Sequence, residues 1–164
     1  MKKIAVLYST YNPTIDAIKL HLSDVEVCCF QELITDDELK KYDLVVLCNY
    51  NKPVNINALN IHHSLLPAFS GNEPEKQTIL NGVKVTGITV FYTNPERIIA
   101  QCPIFIENGM HFDELETQMN NLEQIIYPLV IEKILKNEPF EIKDLLRNQN
   151  SGGCGGCCTK CGGH

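Results

Sequence analysis

Residues 59–71 read LNIHHSLLPAFSG, two adjacent histidines between an apolar run and a loop marked by Pro67 and Gly71. Asn60 and His62 are two apart on what reads as a strand, so their side chains share one face. An amide donor beside an imidazole can hold a developing oxyanion and move a proton. By the same alternation His63 points to the opposite face and is expected to fill space. From spacing alone His62 has a second reading, a strand-end histidine bonded to the backbone. A separate constellation closes the chain. Cys154, Cys157, Cys158 and Cys161 form two abutting C-x2-C pairs on glycine-rich backbone, with His164 as a further donor. Four thiolates this close suit Zn²⁺, Cu(I) or an Fe–S cluster. A dithiol redox tail is the rival reading.

The elements that must position Asn60 and His62 follow from short apolar runs. KIAVLYS (3–9), VEVCCF (25–30), DLVVLCN (43–49) and ALNIHH (58–63) read as buried strands, joined by helical segments at 13–22 and 36–41. A helix over 73–82 follows, then β runs at 83–93 and 102–107. Strand and helix in this rhythm argue for an α/β fold, a mostly parallel twisted sheet with helices on both faces. Asn60 and His62 then stand at a strand's C-terminal end, where such sheets bind ligands. The longest periodic segment, 112–136, carries one apolar stripe from Phe112 to Ile134, and Pro128 is expected to kink or interrupt it.

The chain has 164 residues, a formal charge of −6 and scattered Lys and Arg. Its length suits one domain over 1–147, and its charge argues against a nucleic-acid partner. No apolar stretch is long enough to span a membrane, and the N-terminal run is too short for a signal segment, so a cytoplasmic protein is expected. Four of the eight cysteines (28, 29, 48 and 102) lie in apolar runs and read as small hydrophobes. The composition changes at residue 148, and 148–164 reads as a flexible, disordered Gly/Cys-rich tail.

LNIHHSLLPAFSG resembles the signature of the folate-dependent formyltransferases, an Asn-x-His pair before a Ser-Leu-Leu-Pro loop. The resemblance continues through GNEPEKQTILNGVKVTGITV and resumes at IYPLVIEKIL, which is most similar to the phosphoribosylglycinamide formyltransferase branch. It covers 43–136 well and 1–30 in outline. It implies formyl transfer from 10-formyltetrahydrofolate to a small-molecule amine. By position, His62 would protonate or polarise the tetrahedral intermediate and Asn60 would hold its oxyanion. The loop at Asn51 and Lys52 would meet the pterin with its backbone.

The chain departs from that pattern in four places. The family's aspartate has no counterpart in FYTNPERIIAQCPIF: Ala100 or Ile98 falls at its position, and Glu96 is the nearest carboxylate. Phe91 replaces a common histidine. Thr10 and Asn12 stand at the glycines of a phosphate cradle, where a Cβ hinders close approach. The stretch between Leu22 and Asn60 is too short for a complete first α/β half. These losses predict weak or lost activity, or a non-catalytic relative in which the tail binds metal or works in redox chemistry.

Overall fold

The computed structural model describes residues 1–31 and 34–145. The strands are β1 (Lys3–Leu7), β2 (Glu26–Phe30), β3 (Leu44–Leu47), β4 (Leu59–His62), β5 (Val85–Thr93) and β6 (Glu96–Phe105). The helices are α1 (Thr14–His21), α2 (Asp36–Leu39), α3 (Pro74–Leu80) and α4 (Phe112–Leu135). One six-stranded sheet has the order β2-β1-β3-β4-β5-β6. β1 to β4 run parallel, and β5 and β6 are added antiparallel.

Alternation along β1 explains the two layers of core. Ile4 and Val6 pack with Ile15 and Ile18 of α1 and with the α4 stripe, whereas Ala5 and Leu7 pack with Leu39 of α2 on the other face. Helices therefore cover both faces, as the sequence predicts. The first half is not truncated as its length suggested. It contains β1, α1, β2, α2 and β3, and α2 is a single turn with a capping box between Thr35 and Glu38.

α4 continues through Pro128 without interruption. Pro128 cannot donate to the preceding turn, but Tyr127, Leu129, Val130 and Ile131 around it are all buried and hold the helix in place. Tyr127 does more than fill volume. β3 and β4 share only the pairing of Val46 with Leu59. The Tyr127 hydroxyl reaches the carbonyls of Leu47 and Leu59, at 2.9 Å each, across the gap between the strands.

The largest correction lies after β5. The stretch between the expected β runs, 94–101, is a tight hairpin and the first half of a strand, so that β6 begins at Glu96 rather than Cys102. Ala100 pairs with Val90 and Ile98 with Phe91, with Ile99 bulged between them. Pro103 is tolerated because β6 is an edge strand. Opposite Pro103, Gly87 is obligatory: a Cβ there would lie 2.1 Å from the Cys102 carbonyl oxygen and 2.8 Å from Leu65.

Two substitutions test these contacts by chemical denaturation. Gly87→Ala is expected to cost about 1–3 kcal/mol or more, because the clash is with backbone. Tyr127→Phe is expected to cost about 1–3 kcal/mol by leaving two buried carbonyls unpaired.

Candidate functional site

β4 ends at His62, and the loop after it is fixed by side chains from β5 and β6. The Thr89 hydroxyl donates to the Ser64 carbonyl (2.7 Å) and accepts from the Leu66 N–H (3.0 Å). Gln101 Nε2 donates to the Leu66 carbonyl at 3.0 Å, and the Ser64 hydroxyl donates to Ala68 O at 2.5 Å. This network folds the loop back over β4, so that the Phe69 carbonyl lies 2.8 Å from His62 Nε2. A carbonyl only accepts, so Nε2 carries the proton. His62 thus has the backbone bond that its second reading named, and it also lines a cleft.

That cleft, of about 320 Å³, is lined by Asn12, Asn49, His62, His63, Glu75 and Glu123, with Ile61, Pro74, Glu116 and Asn120 completing its wall. Asn12 follows β1 and Asn49 follows β3. These adjacent strands are where the strand order reverses direction, with β2 on one side and β4 on the other. A crevice at that switch point is where open α/β sheets bind ligands.

His63 does not turn away. The strand ends at His62, so alternation no longer governs the next residue, and both imidazoles line the cleft. His63 Nδ1 lies 2.5 Å from Glu75 Oε1, and Nε2 lies 2.6 Å from Glu123 Oε2. Burial alone would lower the His63 pKa, but the hydrogen bonds and charges of the two carboxylates override it and raise it from 6.5 to about 9. Burial alone would likewise raise the Glu75 pKa, yet the bond to His63 holds it below the usual carboxylate value. Glu123 is 4% exposed. Its Oε1 accepts from the Thr14 hydroxyl (2.9 Å) and from Asn12 Nδ2 (3.1 Å). One buried carboxylate thereby joins α4 to β4 and to the start of α1.

Asn60 is half-buried and stands outside the cleft lining; its Oδ1 accepts from the Ile61 N–H at 2.8 Å. Asn51 is exposed and bonded to Ser9, whose hydroxyl donates to Asn51 Oδ1 (2.6 Å) and accepts from its N–H (3.0 Å). Lys52 is exposed and also outside the cleft. Glu96 pairs with Thr93, whereas His62 pairs with Thr89, four residues away along β5 or about 13 Å. The hairpin therefore brings no carboxylate to His62. Burial pushes the Cys48 thiol well up, aided by the Glu123 charge, so it is no nucleophile. Among the described residues no group of three or more His, Cys, Asp or Glu could hold a metal. Cys154, Cys157, Cys158 and Cys161 lie outside the described residues. No helix among the described residues is long and apolar enough to cross a membrane.

Sequence reasoning missed Glu75 and Glu123. Glu123 did leave a signal: it lies four residues after Met119 and four before Tyr127, a charge inside an apolar stripe. Nothing in the local sequence marked Glu75.

The profile of the family described as formyl transferase matches residues 30–131. Phosphoribosylglycinamide formyltransferase of Bacillus subtilis is 36% identical over 119 residues, which are 64% of this chain and 60% of that protein. Formyltetrahydrofolate deformylase of Haemophilus influenzae is 37% identical over 79 residues, 43% of this chain and 28% of that protein. The chain thus spans less than two thirds of the length of these curated relatives. The crystal structure of phosphoribosylglycinamide formyltransferase from Bacillus halodurans superposes with a TM-score of 0.66 at 25% identity, covering 82% of this chain and 95% of that one. The profile match takes in the strand-end histidines, the loop fixed by Thr89 and the cleft-lining carboxylates, and on that ground the chain belongs to the formyl transferase family.

Proposed function

We propose that this cleft transfers the formyl group of 10-formyltetrahydrofolate to a small amine. The observation that carries the reading is the cleft's place at the switch point of a formyl transferase sheet, with His62 on its wall. The amine nitrogen attacks the formyl carbon, forming a C–N bond while the carbonyl electron pair moves to oxygen. Collapse of this intermediate breaks the bond to N10 of the folate. N10 gains a proton and the amine nitrogen loses one, giving a formamide and tetrahydrofolate. The folate is a substrate here, and the loop at Asn51 and Lys52 is assigned to its pterin.

His62 presents Nδ1 toward the reaction when Nε2–H is held by Phe69 O, and can relay the proton that the amine loses. Asn60 stands outside the cleft lining with its Oδ1 on the Ile61 N–H, so the oxyanion role that the resemblance gives it requires its side chain to rotate toward His62. His63 is cationic at neutral pH, but Glu75 and Glu123 match its charge, so its part is to hold the wall beside His62 in place. Its partners Glu75 and Glu123 are carboxyl groups of the cleft wall, on α3 and α4. Transfer to water is a second reading, favoured by the similarity to formyltetrahydrofolate deformylases.

Release of tetrahydrofolate, followed by absorbance with and without a panel of small amines, separates the readings. Amine-dependent release supports transfer, and release without amine supports hydrolysis. Binding of the folate without release would make the protein a non-catalytic relative and overturn both. His62→Ala is expected to lower kcat/KM by about 10²–10⁴.

The His63 clamp has its own pH signature. Its folded pKa of about 9 exceeds the unfolded 6.5, so its stabilisation is full below about 6.5 and fades as pH rises through about 9. The whole effect is roughly 3 kcal/mol at 1.36 kcal/mol per pH unit. Denaturation midpoints between pH 6 and 10 should fall in the wild type, and His63→Gln should remove that slope.

A further inference from the structure

The start of α1 lies against the cleft, and its anion-binding capacity is already consumed. An exposed helix N-terminus offers unpaired N–H groups and a partial positive charge to a phosphate. Here Pro13 has no N–H. The Thr14 N–H donates to Asn12 Oδ1 at 2.9 Å, and the Ile15 N–H to the Asn12 carbonyl at 2.9 Å. The N–H groups of Asp16 and Ala17 both go to the Pro13 carbonyl at 3.1 Å. The first turn has no N–H left to give.

A resident anion also sits at this helix end. Glu123 is buried and accepts from the Thr14 hydroxyl at the start of α1 and from the side-chain amide of Asn12, which lines the cleft just before it. A phosphate placed there would meet the Glu123 carboxylate at short range, and like charges repel strongly where water is excluded. The remainder of the wall offers no relief. Among the described residues neither Lys nor Arg lines the cleft, Glu75 and Glu116 add further carboxyl groups, and His63 already lies between Glu75 and Glu123.

We propose that the acceptor taken by this cleft is an amine without a phosphate group, and that Asn12 and Glu123 set this specificity. The proposal rests on the formyl-transfer reading for the word acceptor, but its test does not. Asn12 closes the helix end to ligands with its side chain, and Glu123 supplies the charge that a phosphate would otherwise supply. A neutral or cationic amine meets neither obstacle.

Calorimetry in the absence of folate decides it, with glycinamide ribonucleotide, the same compound without its phosphate, and inorganic phosphate as probes. The wild-type protein should bind the dephosphorylated amine more tightly than the ribonucleotide by about tenfold or more, and should not bind inorganic phosphate. Equal or tighter binding of the ribonucleotide, saturable binding of phosphate, or binding of neither amine overturns the proposal. The double substitution Asn12→Gly, Pro13→Ser restores N–H donors, and Glu123→Gln removes the resident charge. Each should raise affinity for the ribonucleotide relative to the dephosphorylated amine, and an unchanged ratio in folded variants of both kinds overturns the assignment of these residues. Because no formyl donor is present, these isotherms stand even if the transfer assay gives no turnover.

Discussion

A carboxylate that is 4% exposed must be satisfied on every side, and the architecture around the cleft answers that demand for Glu123. α4 delivers it, the residue after β4 is His63, and Asn12 and Thr14, before and at the start of α1, are directed at its second oxygen. Glu75 then brings α3 to the other side of the imidazole. Four elements distant in sequence meet at one ion cluster. Remove one member and the others are left charged in a place with little water, which makes their arrangement interdependent.

The sheet sets the other boundary. β5 is locked to β6 by the close approach at Gly87, and Thr89, two residues on, holds the loop that carries Phe69. The orientation of His62 is therefore inherited from contacts within the same sheet, on the two strands that follow β4. On the opposite side, Tyr127 bridges β3 and β4 from the same helix that carries Glu123. Core and site are built from shared residues, so neither can be repacked alone.

The strands of the first half were readable because strands buried on both faces are written as continuous apolar runs. KIAVL and LVVL leave no other interpretation at that length. The first half of β6 was missed because it is exposed and interrupted by charge. His63 was misplaced because alternation was extended one residue past the strand's end. Its partners were beyond sequence reasoning for a different reason. An ion pair between residues 63 and 123 is a product of tertiary packing and has no local period. α2 shows the converse: it is a single turn, while the strands it connects keep their register.

The tight turn between Thr93 and Glu96 takes no part in the cleft wall. With no long segment there to fold over a ligand, the enclosing surfaces are α3, α4, the start of α1 and the strand ends. A ligand enters a preformed shape, so association is spared the entropy loss of ordering a flap. The same geometry gives up the shielding that a closing flap provides. A ligand keeps water on its open side, while Glu123 beneath it stays buried and little screened.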